Sequence, residues 1–206
     1  IGTDCIEFRA DILSGVGLED HARAVQELRA RVGSIPILYT LRTAKEGGKF
    51  SGGADEYFAL CEQALRLGCE LIDIEQDIAD RERVVGFVTR ARAAGVKIIV
   101  SKHDFNNMIP DNDMEDFFRT WTLGADVAKL VARPASMNDS LKMINTAAEF
   151  RSRGVTIGLC LGDLGKVTRV LNPVMTPVCH EALGTVAAPG QMSINQIINC
   201  RKSMGI

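Results

Sequence analysis

Five times along this 206-residue sequence a helical pattern runs into a glycine and then directly into a short apolar run. The glycines are Gly33, Gly68, Gly95, Gly124 and Gly154, spaced 27 to 35 residues apart. A glycine just past a helix end supplies the left-handed cap conformation that other residues resist. One helix plus one strand every ~30 residues is the spacing of βαβ units, because parallel strands need a crossover long enough to hold a helix. The repeat therefore points to a parallel α/β architecture.

The segments between the glycines fit that reading. Val25, Leu28 and Val32 recur at i, i+3 and i+7, as do Phe58, Cys61 and Leu65. Met137, Leu141, Ile144 and Ala148 predict a third apolar helix face, and Met114, Phe117, Phe118 and Trp121 a fourth. Seven strands are expected, at residues 5–8, 35–41, 71–74, 96–100, 127–131, 156–161 and 183–188, with a last helix over 193–204. Their hydrophobicity is continuous rather than alternating, which predicts burial on both faces under covering helices.

A doubly wound open sheet and a (β/α) barrel both satisfy this pattern. Polar residues decide between them. Strand ends carry Glu7 and Arg9, then Arg42, then Asp73 and Glu75, then His103, then Lys129. A glycine-rich turn with Arg169 follows the next strand, and Gln191 follows the last. In a barrel all these ends converge on one rim, where such enzymes place their sites. In an open sheet they would be strung along an edge ~30 Å long, at ~4.8 Å per strand. The expectation is a TIM-type (β/α)8 barrel, as a single domain over residues 1–206.

Composition removes several classes of function. Lys plus Arg number 24 against 26 Asp plus Glu, a net charge of -2, so no basic face for nucleic acid is implied. No apolar run is long enough to span a bilayer, and no signal-peptide pattern opens the sequence. The six cysteines show no C-x-x-C pair or zinc spacing, and are expected to be reduced in a cytoplasmic protein.

The chemistry centres on GADVAKLVARP (124–134). Lys129 sits there in an apolar run, although lysine is among the residues least often fully buried. A lone strand lysine ordinarily has its head in solvent. Its alternative use is as a neutral amine that attacks a carbonyl. His103, in VSKHDF, ends the preceding strand and can take and return a proton within one turnover. His21 and His180 are read as structural. Glu46, in LRTAKEGGKF, can hold the imidazole's tautomer, or be a solvated loop carboxylate. Arg42 and Arg169 suit a carboxylate-bearing substrate, their alternative being surface ion pairs. Glu7 and Arg9 face the same side of a strand, as ligand groups or as a mutual ion pair. Neither AKEGGKFSGG nor GDLGKVTR has nucleotide-loop spacing.

Taken in order, E-F-R (7–9), L-R-T-A-K-E-G-G (41–48), S-K-H-D-F (101–105), A-K-L-V (128–131), G-x-x-G-x-x-T-R (162–169) and A-A-P-G-Q (187–191) resemble type I 3-dehydroquinate dehydratase. The stretch 170–191 is most similar to the version in fungal multifunctional shikimate-pathway polypeptides. The resemblance implies a lyase that makes 3-dehydroshikimate from 3-dehydroquinate through a Schiff base, with no metal or organic cofactor. It implies imine formation at Lys129, proton transfer by His103 and orientation of His103 by Glu46. Arg169 would hold the substrate carboxylate. Glu7, Arg9 and Arg42 would bind its hydroxyls and ring, and Gln191 would lie on a closing loop.

Two departures shape the expectations. Ala187 stands where many bacterial members have a serine. Family members also carry one further βα unit before the strand holding Glu7, so the barrel is expected to be N-terminally incomplete. Its exposed sheet edges would then favour a homo-oligomer or a place within a larger multifunctional polypeptide. Two rival readings are a catalytically impaired quinate or shikimate-pathway sensor and a Schiff-base aldolase. Retention of both Lys129 and His103 argues against the first; Glu7, Arg9 and the A-P-G-Q loop argue against the second.

Overall fold

A computed structural model describes residues 3–13, 17–119, 124–180, 182 and 186–206. The glycine signal is met in the backbone: Gly33, Gly68 and Gly95 follow helix ends and Gly154 follows a single 3-10 turn. Gly33, Gly68, Gly95 and Gly124 take φ values of +62°, +74°, +82° and +77°, and Gly154 takes +157°. At Gly95, the N–H bonds back to the Arg92 carbonyl and closes the last turn before the strand starts.

Six strands are present among the described residues: β1 (Ile6–Arg9), β2 (Ile37–Thr40), β3 (Leu71–Glu75), β4 (Lys97–Asp104), β5 (Val127–Ala132) and β6 (Val155–Cys160). Seven helices accompany them: α1 (Leu18–Val32), α2 (Ala54–Arg66), α3 (Arg81–Ala93), α4 (Asp111–Arg119), α5 (Met137–Glu149), α6 (Gly162–Leu171) and α7 (Ile194–Met204). The strand order is the sequence order, β1-β2-β3-β4-β5-β6. β1 with β2, β2 with β3, β3 with β4, and β5 with β6 pair in parallel. This is the parallel α/β class expected. All of β2 and β5 is buried, as continuous hydrophobicity requires; β1 is only half-buried.

The chain divides into two compact units, Ile1–Lys102 with Thr122–Asp126, and His103–Trp121 with Val127–Ile206. In the first, alternate residues Ile37, Tyr39, Ile72, Ile74, Ile98 and Val100 meet Val25, Phe58, Cys61 and Phe87 from α1, α2 and α3. Strand alternation puts Arg9, Thr40, Asp73, Glu75 and Ser101 on the opposite face. Register aligns them: Arg9 is opposite Thr40, Thr40 opposite Asp73, and Glu75 opposite Ser101. In the second unit, Ala128, Leu130 and Ala132 of β5 pack with Met114, Phe117, Phe118, Met143 and Ala147. Lys129 falls on the other face of that strand.

Two expectations are corrected. The apolar face drawn through Met137, Leu141, Ile144 and Ala148 is rotated: Met137 and Leu141 are each 46% exposed, and α5 buries Ser140, Met143 and Ala147 instead. The reason lies in β6, where a Cβ on Gly158 would come within 2.8 Å of the Ala147 Cβ and 3.0 Å of the Met143 carbonyl oxygen. Close approach at a glycine selects the small side chains of α5 and leaves its larger ones outside. The second correction is the strand expected over 183–188. Residues 183–185 lie outside the described ones, and Val186, Ala187 and Ala188 form loop, with Val186 59% exposed. There the Ala187 N–H bonds to a side chain, Gln191 Oε1, rather than to a neighbouring strand. Trp121, expected on the α4 face, lies outside the described residues; Met114, Phe117 and Phe118 are buried as expected.

Candidate active site

In the first unit the polar face is built around Arg42, two residues beyond β2. Its Nη2 donates to Asp73 Oδ1 at 2.9 Å, and its Nη1 to Glu75 Oε1 and Ser101 Oγ, each at 3.0 Å. Glu46 Oε2 lies 3.4 Å from Nη1. All five side chains are buried. Glu75 also accepts from the Thr43 N–H and hydroxyl, which fixes the loop that carries Glu46. That loop is tight: a Cβ on Gly48 would sit 2.1 Å from the Arg42 carbonyl oxygen.

The charges there do not balance, since three carboxylates surround one guanidinium. Burial opposes the charge on Arg42, but Asp73, Glu75 and Glu46 outweigh it and hold the guanidinium cationic. The imbalance falls on Glu46, whose carboxyl is pushed up to about 8 by burial and then by the Glu75 charge. Arg42, read from sequence as a ligand or surface ion-pair residue, thus sits in a buried ion-pair network.

Glu7 is exposed and accepts from the Thr40 hydroxyl at 2.9 Å. Arg9 is not paired with Glu7. It forms a fork with Asp11, Nε to Oδ1 and Nη2 to Oδ2, both 2.8 Å. His21 is buried, with its Nδ1 3.4 Å from the Tyr39 hydroxyl, in keeping with a structural histidine.

In the second unit Lys129 is 8% exposed and lies mid-strand, opposite Ile157 of β6. The strand continues through Ala132, so its head group is further from the strand end than the sequence suggested. His103, half-buried, stands near the end of β4. The loop after it is tied down: Asp104 Oδ1 accepts from the Asn106 and Asn107 N–H groups, both at 2.8 Å. Arg133, just past β5, donates from Nε to the Phe105 carbonyl at 2.6 Å and from its backbone N–H to that of Asn107 at 3.0 Å.

The motif G-x-x-G-x-x-T-R has a mechanical reading in the same unit. Gly162 opens α6 at φ +73°. A Cβ on Gly165 would lie 2.0 Å from the Cys160 carbonyl oxygen, so glycine lets the helix press onto the end of β6. Thr168 pins it there, accepting from the Cys160 N–H at 2.9 Å and donating to the Gly165 carbonyl at 2.6 Å. The next residue, Arg169, is 2% exposed, and its Nε has no hydrogen-bond partner among the described residues. Burial lowers its pKa. A buried guanidinium nitrogen without a partner is costly, and an anion would satisfy it.

Gln191 is half-buried on a turn seated on α6. The Gly162 N–H donates to the Pro189 carbonyl at 3.0 Å, and Gly190 takes φ +75° against Gly162. Gln191 Oε1 accepts from the Ala187 N–H at 2.6 Å. The six cysteines are unpaired thiols. Among the described residues no cluster of His, Cys, Asp and Glu is arranged to hold a metal ion, and no helix is long and apolar enough to cross a membrane.

Sequence reasoning assigned no role to Asp11, Thr43 or Ser101. Asp11 could have been found by its spacing, two residues past Arg9, where a carboxylate can reach a guanidinium fork. Ser101 offers no such signal, because its role depends on the register of β4 with β3.

Fold and side chains together define a parallel α/β protein with ionisable groups concentrated at and beyond the carboxyl ends of its strands and one lysine buried within a strand. A family model described as type I 3-dehydroquinase matches residues 1–206. The chain belongs to that family. It is similar to the pentafunctional AROM polypeptides of Malassezia globosa, 35% identical over all of this chain, and Komagataella phaffii, 34% identical over 95% of it. In each case it spans 13% of the relative's length. Among solved structures, a type I 3-dehydroquinate dehydratase from Clostridium difficile, with covalently modified comenic acid, is 26% identical with a TM-score of 0.89. That match covers 99% of this chain and 83% of the other. The dehydroquinate dehydratase and shikimate dehydrogenase portion of the S. pombe AroM protein is 30% identical with a TM-score of 0.86, over all of this chain and 40% of that one.

Proposed function

We propose that the chain dehydrates 3-dehydroquinate to 3-dehydroshikimate through an imine on Lys129. The observation that carries this reading is the pair of buried basic side chains in one unit: Lys129 within β5, and Arg169, whose Nε has no hydrogen-bond partner among the described residues. An amine kept from water suits attack on a ketone, and a fixed guanidinium suits a substrate carboxylate. The similar C. difficile type I 3-dehydroquinate dehydratase, described with covalently modified comenic acid, supports such chemistry.

In this reading the Lys129 amine adds to the substrate ketone and water leaves, giving a protonated imine. That cation draws electrons from the neighbouring carbon, whose proton passes to His103. The resulting enamine expels the hydroxyl group β to the original ketone as His103 returns the proton, so that water departs. Hydrolysis of the imine then frees the product and restores Lys129. Glu46 keeps the imidazole in place, Glu7, Arg9 and Arg42 bind the hydroxyls and ring, and Gln191 closes over them. As in the pentafunctional relatives, the chain works as a section of a longer polypeptide.

The test is chemical trapping. Borohydride added with 3-dehydroquinate is expected to attach one ligand to Lys129. Lys129→Ala should take no label and produce almost no enoate absorbance. Label on Lys102, or none on an active parent, would overturn the mechanism.

A further inference from the structure

Arg9 is held by a residue that none of the sequence motifs singles out. Its Nε and Nη2 each donate to one oxygen of Asp11 at 2.8 Å, the parallel geometry in which a guanidinium and a carboxylate lock each other's orientation. Asp11 is 1% exposed, on the single helical turn Ala10–Leu13 that follows β1, while Arg9 keeps partial access to solvent. The same carboxylate is tied a second time: Oδ2 accepts from the Lys49 N–H at 3.1 Å. Lys49 belongs to the loop between Arg42 and Phe50, which is closed by Ala44 N–H to the Phe50 carbonyl at 2.8 Å and Phe50 N–H to the Arg42 carbonyl at 3.1 Å. One buried carboxylate thus fastens both the Arg9 fork and the loop carrying Glu46.

The geometry points to Asp11 as a positioning residue for substrate binding: it turns the Arg9 guanidinium so that the edge not bonded to Asp11 faces the ligand. This rests on the proposed dehydration, in which Arg9 binds substrate hydroxyls. Burial works against the Arg9 charge and Asp11 more than offsets it, with Glu7 and Arg42 the other charges that act on the group. Asp11 touches no reacting atom, so its loss should weaken binding and spare the chemical step.

The test is a double-mutant cycle in the full chain with 3-dehydroquinate. Asp11→Asn can still accept from Lys49 but cannot form the charged fork; it should raise KM about tenfold and change kcat less than about twofold. In an Arg9→Ala background the same substitution should leave KM where Arg9→Ala alone puts it. Equal KM effects in both backgrounds, or a folded Asp11→Asn with parental KM, would overturn the inference while leaving the dehydratase reading intact. Should Asp11→Asn not fold, Arg9→Lys serves instead, because an ammonium cannot make the fork. It should reproduce the rise in KM, and a parental KM would overturn the inference. A parent chain without turnover removes the proposed function and this inference with it.

Discussion

Arg42 Nη2 donates to Asp73 Oδ1 at 2.9 Å, and both groups are withdrawn from solvent. Asp73 also accepts from the Ser101 hydroxyl at 2.5 Å, and Ser101 in turn accepts from Arg42 Nη1. The triangle joins the interiors of β3 and β4 to the residue two past the end of β2, so three strands are tied to one set of charges. Burying charge is expensive unless every group finds a partner. Here the partners come from alternate residues of adjacent strands, which the parallel register aligns.

Arg42→Met should therefore destabilise the protein by about 3 kcal/mol, because it strips the buried carboxylates of Asp73, Glu75 and Glu46 of the one guanidinium they share. Urea unfolding at neutral pH measures this, as a lower midpoint with an unchanged slope. A loss below about 0.5 kcal/mol, the range of an ordinary surface substitution, would mean that the triangle does not tie the strands together.

Glu46 gives a pH signature of opposite sign to that of most carboxylates. Its folded pKa, about 8, lies above its ordinary value of 4.5. Below the ordinary value both states are protonated, so the stabilisation that comes with the raised pKa is fully present and stability does not change with pH. Between the two values the unfolded chain releases the proton while the folded chain retains it. Stability then falls as pH rises, by at most about 1.4 kcal/mol per pH unit. Glu46→Gln, neutral at every pH, should remove that slope, so its advantage over the parent grows between pH 5 and 8. Denaturant titrations across that range read the difference; a constant offset would show Glu46 to be ionised throughout.

The fold was legible where one residue type answers one local demand. Glycine at Gly33, Gly68, Gly95 and Gly124 answers the need for positive φ, and the continuous apolar runs answer burial on two faces. The candidate site was legible in part: apolar runs place Lys129 within a buried strand and His103 near the end of another, and the glycine-rich turn leads into the buried Arg169. What the sequence hid depends on register and close approach. The buried face of α5 is set by Gly158 on another element, and Met137 and Leu141 look like core until that contact is known. Ser101 and Thr43 gain their partners only when β3 lies beside β4 and the loop folds back. The expected strand at 183–188 is loop from Val186 on, and at Ala187 a glutamine side chain takes the backbone bond that a neighbouring strand would have taken.

His103→Ala separates imine formation from proton transfer. Lys129 keeps its place in β5 without the imidazole, so borohydride with 3-dehydroquinate should still label it. Turnover should fall by ~10²–10⁴, the usual contribution of a general acid–base group. A variant that turns over like the parent would assign the proton transfer to another group.

Gly190→Ala tests whether the turn carrying Gln191 must be seated on α6. Two costs combine at this position. The backbone has φ +75°, a conformation that costs an alanine about 1–2 kcal/mol, and the new Cβ would lie 2.2 Å from the Gly162 carbonyl oxygen. Both atoms are backbone, so no side-chain rotation relieves the clash and the turn must lift from the helix. Gln191 moves with it, while Arg169, pinned through Gly165 and Thr168, stays. KM for 3-dehydroquinate should rise several-fold, whereas the melting temperature should fall by only about 2–4 °C, since the turn is peripheral. Gly17→Ala is the control: its φ is -77° and nothing lies within 4 Å of the added Cβ, so KM should not change. A Gly190→Ala protein with parental KM and melting temperature would show that the turn does not depend on its contact with Gly162.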